Sequence, residues 1–340
     1  MKLEVLMKKA ILIIFALLLA CSDISHAAQD RYILRFGTTL TPGNAIFNAV
    51  EHFTKAVNEK TQGRATVQLF HSGQLGSDQI LLEQVISGAL DFACSSQVNL
   101  AAFTDAFMWT SFPCLFKSPE SAQKVIQSSI GDEMWARLES LGDLKVVHWL
   151  DYRNNRMVCS QKEVRVPDDM AGLKIRATSS PIDIALLKAY GAAPTPVAWG
   201  ELYMALEQGV VNGMLGDWMY MESAKHYEVL NYCLESGVGV GGYVFQVMVT
   251  NKRKFESFPE DIQKAIMEAG EEAYEKLVRE AKTANDSYRE RYIREGLLKV
   301  TQSTPEEDAL WLEKARLVWR DNAKYLPDEL LNDVLEMQEE

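Results

Sequence analysis

From Ser257-Phe258-Pro259-Glu260 to Gly296 the chain keeps one unbroken helical pattern. At 1.5 Å per residue such a helix is roughly 55 Å long, longer than a single small lobe is wide. It needs two bodies to lie against, so residues 257–296 are expected to bridge them. The length of 340 residues agrees. At about 150 residues per domain the chain carries two domains, each able to bury its own core. With 47% hydrophobic and 24% charged residues the composition is ordinary for a globular protein, so disordered and low-complexity readings drop out.

The rest of the pattern supplies those two bodies. Arg31 to Thr38 alternates with Tyr32, Leu34 and Phe36 on one face, which reads as a strand. A turn at Thr41-Pro42-Gly43-Asn44 leads to a helix carrying Ile46, Val50, Phe53 and Val57, which stops near Gly63. Thr66–Phe70 is a second strand, Asp78–Ile86 a helix and Leu90–Cys94 a third strand. This β-α-β-α-β order implies a parallel sheet flanked by helices. After residue 150 the pattern restarts. Met157–Cys159 and Leu173–Arg176 read as strands, and Ser180-Pro181 opens a helix to about Tyr190. Gly200–Gln208 is a short helix, Gly213–Gly216 leads into another, and Tyr243–Thr250 is a strong strand. Thr304-Pro305-Glu306-Glu307 caps a C-terminal helix.

The N-terminus is not part of this scheme. Lys8-Lys9 followed by the uncharged run Ala10–Ala20 is the basic and apolar pair of a secretory leader, too short for a permanent membrane helix. Ser25-His26-Ala27 gives a small-x-small cleavage site, so residues 1–28 read as a signal peptide. Leu18-Leu19-Ala20-Cys21 competes as a lipobox that would leave a lipid anchor on Cys21. The leader carries Lys2, Lys8 and Lys9 against Glu4 and Asp23, so the net charge of -12 becomes about -13 on export. Such acidity repels phosphate backbones and excludes nucleic acid as the expected partner. No later stretch reaches the ~18 apolar residues of a membrane span. Cys94, Cys114, Cys159 and Cys233 form no C-x-x-C pair and read as small buried hydrophobes, with one disulfide of unassigned pairing open in an oxidising compartment.

Catalytic constellations do not assemble. His52, His71, His148 and His226 make no H-x-H or H-E-x-x-H pattern, and neither a G-x-S-x-G elbow nor a P-loop occurs. Gly237–Gly242 spells G-x-G-x-x-G, but it precedes a strand, whereas the dinucleotide motif follows one and opens a helix. It reads as a glycine-rich approach to a strand, or a hinge. An exported hydrolase or lyase with Asp78 or Asp217 as base therefore lacks a nucleophile. No cofactor and no metal is expected.

The informative run is Gly172-Leu173-Lys174-Ile175-Arg176-Ala177-Thr178-Ser179-Ser180-Pro181. Arg176 ends a strand beside a helix N-terminus, where α/β proteins bind ligands. A guanidinium gives a carboxylate two parallel charge-assisted hydrogen bonds, and the helix start adds a positive dipole end. The simpler reading is a surface arginine in an ion pair.

The same run, together with Gly191–Tyr203 (GAAPTPVAWGELY), Ala205–Gly213 (ALEQGVVNG) and His226-Tyr227-Glu228-Val229, resembles the DctP-type solute-binding proteins of TRAP (tripartite ATP-independent periplasmic) transporters. Ser72-Gly73-Gln74-Leu75-Gly76 and Gly88-Ala89-Leu90-Asp91-Phe92 agree, and the likeness covers about residues 31–320. The resemblance implies a two-lobe α/β clamp of the periplasmic-binding-protein type, with parallel-rich sheets, hinge strands and a long helix crossing both lobes. It implies a periplasmic monomer that captures a small organic anion, carboxylate or sulfonate, and delivers it to small and large membrane permease subunits driven by an ion gradient. A sensor module presenting solute to a receptor would share the fold. The expected division is lobe I at 29–153 plus 242–281, lobe II at 154–241 plus 282–320, and a C-terminal helical segment at 304–340.

By the same resemblance Arg176 falls on the carboxylate-clamping arginine and Arg156 on a second arginine used by many members. Trp199 takes the aromatic position of the P-x-A-[FW] motif and would wall the pocket. Asp78 matches a polar position near the cleft, or else is an N-cap. Ser96 and Gln97 sit where members place a polar ligand contact, and Thr39 ends the first strand at the cleft rim. Many members read V-D-G-Q-E-N-P where this chain has Val211-Asn212-Gly213-Met214-Leu215-Gly216-Asp217. Gly216 thus replaces a common ligand-binding asparagine, with Asp217 and Trp218 following. Ser96 stands where sialic-acid binders carry glutamate, which argues against sialic acid. Asp217 could hold a hydroxyl or amine of the ligand, or pair with Arg156.

Overall fold

A computed structural model describes residues 30–140, 143–151, 153 and 155–339. The leader and the Cys21 lipobox lie outside them. The first half runs β1 (Tyr32–Thr38), α1 (Ala45–Lys60), β2 (Ala65–Phe70), α2 (Asp78–Ile86), β3 (Phe92–Ser96), α3 (Gln97–Leu100), α4 (Pro119–Ile126), α5 (Ser129–Ser140) and β4 (Leu144–Leu150). Then follow β5 (Met157–Ser160), β6 (Lys174–Ala177), α6 (Pro181–Ala189), β7 (Ala193–Pro196), α7 (Leu202–Glu207), β8 (Gly213–Gly216), α8 (Trp218–Ser223) and β9 (Tyr232–Glu235). The chain closes with β10 (Gln246–Asn251), α9 (Lys252–Ser257), α10 (Glu260–Arg294), β11 (Lys299–Gln302), α11 (Pro305–Asp321) and α12 (Asp328–Met337).

Two sheets result, ordered β2-β1-β3-β10-β4 and β11-β9-β5-β8-β6-β7. In the first, β1 pairs parallel with β2 and β3, as the β-α-β-α-β order requires. β10 enters antiparallel between β3 and β4, which makes the sheet mixed. In the second, β6 pairs parallel with β7 and β8, while β5 runs antiparallel to β8 and β9.

Each sheet buries its faces by strand alternation. Around the second sheet Val158, Leu215 and Leu234 enter one core, while Met157, Cys159, Met214 and Cys233 enter the other. Successive side chains point to opposite faces, so one strand serves both cores. In the first lobe α1 lays Ile46, Val50, Phe53 and Val57 on the sheet, and Asn44 caps it by accepting the Phe47 amide at 2.8 Å. A fully buried side chain such as Phe53 contributes about 1.5–3 kcal/mol. Cys159 and Cys233 are opposite one another across β5 and β9 and form a disulfide, while Cys94 and Cys114 are free.

The long helix α10 has 35 residues, about 52 Å at 1.5 Å per residue. It packs on α1 and β4 and, further along, on α8 and β11, so it spans both sheets. Gly270 lets it approach β4: a Cβ there would lie 3.0 Å from Val147 Cγ1. Two further segments cross between the sheets side by side. The Arg156 amide donates to the Gly242 carbonyl (3.2 Å), and the Gly241 amide donates to the Arg156 carbonyl (3.1 Å). A Cβ on Gly241 would meet Arg156 Cβ at 2.5 Å, which is why the run 237–242 is glycine-rich here. Among the described residues no helix is long and apolar enough to cross a membrane.

Candidate functional site

The ends of β1, β3, β6 and β8 converge on one crevice between the sheets, the place where open α/β sheets bind ligands. It holds a cavity of about 60 Å³, room for about five water molecules. Thr39, Asp78 and Ser96 line it from the first lobe, and Arg156, Arg176, Trp199, Gly216 and Asp217 from the second. Thr41 Oγ1 reaches across to the Ser223 carbonyl at 3.0 Å, so the lobes touch at the rim.

Arg176 is placed by β6, whose residue Arg176 pairs with Thr195 on one side and Met214 on the other. Its Nε donates to the Val197 carbonyl at 3.1 Å, which fixes the plane of the guanidinium. Trp199 lies beside it, with the guanidinium carbon 5.9 Å from the ring centroid. Among the described residues Arg176 makes no ion pair, and its two Nη groups have no protein acceptor. Burial draws its pKa below the usual arginine value, and the Arg156 charge adds to that while Asp183 opposes it. Behind Trp199 sits His226, fully buried with its ring centroid 5.0 Å away. Burial, helped by Arg176, pushes the imidazole down to about 3, so it is neutral.

Arg156 has a different fate. Its Nη1 and Nη2 donate to the two Asp183 oxygens at 3.0 and 2.7 Å, and Thr178 Oγ1 donates to the same carboxylate at 2.6 Å. Burial pushes the Asp183 carboxyl up, but the Arg156 charge and these hydrogen bonds outweigh it and hold it below the usual range. The pair is therefore neutral as a unit, and of the two roles open to Asp217 the pairing with Arg156 does not occur. Asp217 instead caps α8, accepting the Tyr220 amide at 2.9 Å, and burial pushes its carboxyl up to about 7.

Asp78 is the first residue of α2, and the cap position belongs to Ser77. Its carboxylate accepts from Thr39 Oγ1 (3.1 Å to each oxygen) and from Ser95 Oγ (2.8 Å). Burial raises its pKa, and Ser95, Thr39 and Arg176 counter the rise. Ser96 lines the cavity while its hydroxyl donates to Gln97 Oε1. Two expected residues are not in the lining. Gln97 is fully buried, donating to the Tyr243 carbonyl (2.9 Å) and accepting the Phe245 amide (3.0 Å), so its amide ties down the crossing segment. Trp218 packs in the core beside Tyr292, ring centroids 5.9 Å apart. At Gly216 the space is already filled, because a Cβ would meet Met214 Cε at 2.7 Å.

The lining also includes Asn99, Thr178, Tyr220, Val244 and Gln246, which the sequence reading passed over. Gln246 donates to the Tyr220 hydroxyl. The available signal was Gln246 itself, the single amide in the apolar run Val244-Phe245-Gln246-Val247-Met248.

Residues 36–325 match the family model of bacterial extracellular solute-binding protein, family 7 (DctP). The protein y4mM of Sinorhizobium fredii is 33% identical over 243 residues, 70% of this chain, but the chain spans only 45% of that relative's length. The 2,3-diketo-L-gulonate-binding periplasmic protein YiaO of Escherichia coli is 31% identical over 256 residues, 75% of this chain and 76% of that one. A TRAP periplasmic solute-binding protein of Chromohalobacter salexigens, solved with bound d-glucuronate, superposes with a TM-score of 0.81 at 27% identity, covering 90% of this chain and 99% of the other. The two sheets, the spanning helix and the crevice at the strand ends are thus shared with proteins that bind solutes rather than transform them, and the chain belongs to the DctP family of bacterial extracellular solute-binding proteins.

Proposed function

We propose that the chain is the extracytoplasmic receptor of a TRAP transporter, a monomer that captures a small organic anion between its lobes and hands it to membrane permease subunits. The observation that carries this reading is Arg176: a half-buried guanidinium in the crevice, oriented by one backbone carbonyl, with both Nη groups lacking a protein acceptor among the described residues. A carboxylate fits such a fork with two parallel hydrogen bonds. Trp199 excludes water from the pair and so strengthens it. The relatives support the ligand class, since one is named for 2,3-diketo-L-gulonate and another holds d-glucuronate. In this reading residues 1–28 are the leader that takes the chain to the periplasm. Lobe I is 29–153 plus 242–281, and lobe II is 154–241 plus 282–320.

Calorimetric titration tests the reading, with the ligand found by a thermal-shift screen of small carboxylates and sulfonates. Arg176→Lys keeps the charge and loses the fork, so affinity falls by about tenfold to a hundredfold. Arg176→Ala removes one partner of a desolvated pair and costs on the order of 2–5 kcal/mol. Wild-type affinity in both variants would remove Arg176 from the site.

A further inference from the structure

Among the described residues the crevice contains two arginines, and one of them, Arg176, has both Nη groups available. Asp183 holds both Nη groups of Arg156, and the side chains of the two are 7% and 2% exposed. Thr178 donates to the same carboxylate from the side, so Asp183 neutralises Arg156 within a buried pair, while Arg156 Nε has no partner among the described residues. Arg176 remains as the free fork. Another acidic group of the lining with unused hydrogen-bonding capacity is Asp78: its Oδ1 accepts from Thr39 and Ser95, while its Oδ2 accepts from Thr39 alone. An acceptor-only carboxylate with a lone pair left over calls for a donor. Met214, Leu215 and Val244 supply apolar wall to the same cavity.

Resting on the receptor reading above, we propose that this cavity selects a compact monocarboxylate bearing a hydrogen-bond donor, a hydroxyl or an ammonium, at the end away from its carboxylate. Dicarboxylates are selected against, and Asp183 sets that choice by taking Arg156 out of play. The ligand carboxylate sits on Arg176 and the donor end on Asp78. A dicarboxylate would bring a second desolvated negative charge with no cation left to receive it, and would set it near Asp78, a like charge. The cavity is small, about 60 Å³, so the acids to compare are short ones of about three to six carbons.

Calorimetry on the mature full-length chain tests this with matched acids of each length in that range: the unsubstituted monocarboxylate, its hydroxy form, its amino form and the dicarboxylate. At the length that binds best, a donor-bearing acid should bind about 100-fold tighter than the dicarboxylate and the unsubstituted acid, since a site built to hydrogen-bond a donor rejects analogues lacking it. Which of the hydroxy and amino forms leads identifies the donor. Asp183→Asn keeps the shape and the Thr178 contact but frees Arg156, so dicarboxylate affinity should rise by about tenfold or more. Asp78→Asn should shrink the gap between the donor-bearing and unsubstituted acids. A dicarboxylate that matches or beats the donor-bearing acids in the wild-type chain overturns the proposal and leaves the receptor reading standing. So does a folded Asp183→Asn variant with unchanged ranking. If Asp183→Asn does not fold, the wild-type ranking and Asp78→Asn decide. Absence of binding by every carboxylate would overturn the receptor reading and this proposal together.

Discussion

Arg156 and Arg176 are chemically the same residue, yet their surroundings give them opposite roles. One is neutralised by a bidentate aspartate, and the other keeps its fork open. Asp217 shows the same dependence on surroundings. Its carboxyl, 3.8 in the open chain, is pushed up to about 7 by burial while it caps α8. Between those values the folded chain holds the proton and the unfolded chain has released it, so stability falls as pH rises through this window. The loss is complete above about 7. Asp217→Asn keeps the cap without the buried charge. Urea unfolding at pH 8 should find it more stable than wild type by about 1–3 kcal/mol, with the difference gone below about pH 4. A variant less stable at pH 8 would contradict this. Arg176 was legible in the sequence because it lies near the end of a strand before a helix start, a local pattern. Asp183 was not, because its bond to a residue 27 positions away exists only once the lobe has folded.

At the scale of elements, the helices announced themselves through caps and the strands less well. The reading of Thr304-Pro305-Glu306-Glu307 as a helix start is matched by a reciprocal capping box: Thr304 accepts the Glu307 amide at 3.3 Å and Glu307 accepts the Thr304 amide at 2.8 Å. Glu307 also holds Arg165 through two bonds, of 2.6 and 2.7 Å. Thr304→Ala should therefore cost about 1 kcal/mol in denaturant unfolding, and an unchanged midpoint would show that the Arg165 pair alone fixes this end. The strand expected from Tyr243 begins three residues later, at Gln246. Tyr243 to Phe245 have the apolar character of a strand, but they serve the crossing, with Tyr243 bridging Asn155 and its hydroxyl bonding Asp151. The disulfide was undecidable from spacing, because the register that sets Cys159 opposite Cys233 is a property of the sheet.

At the scale of the whole molecule, the two lobes share four crossings among the described residues: the stretch before β5, the glycine-rich stretch before β10, α10, and the passage from α11 to α12, which brings Leu326 and Val334 back to the first core. The long helical pattern revealed the two-body plan. The crevice itself had to be seen folded, since its lining comes from strands and helices spread from Thr39 to Gln246. Ligand that contacts both lobes shifts the open–closed balance by its differential affinity for the two states. Small-angle scattering should therefore record a smaller radius of gyration at saturating ligand, and an unchanged radius would contradict closure. The net charge of -12 gives no long-range attraction for an anion, so binding rests on short-range geometry at Arg176.

That geometry can be observed directly. A crystal structure of the chain grown with the acid that stabilises it most should show the ligand carboxylate on both Nη groups of Arg176, at about 2.7–2.9 Å, with Trp199 beside it and Asp78 at its far end. A ligand held elsewhere in the crevice, or an Arg176 turned out to solvent with the acid bound, would contradict the account at its centre.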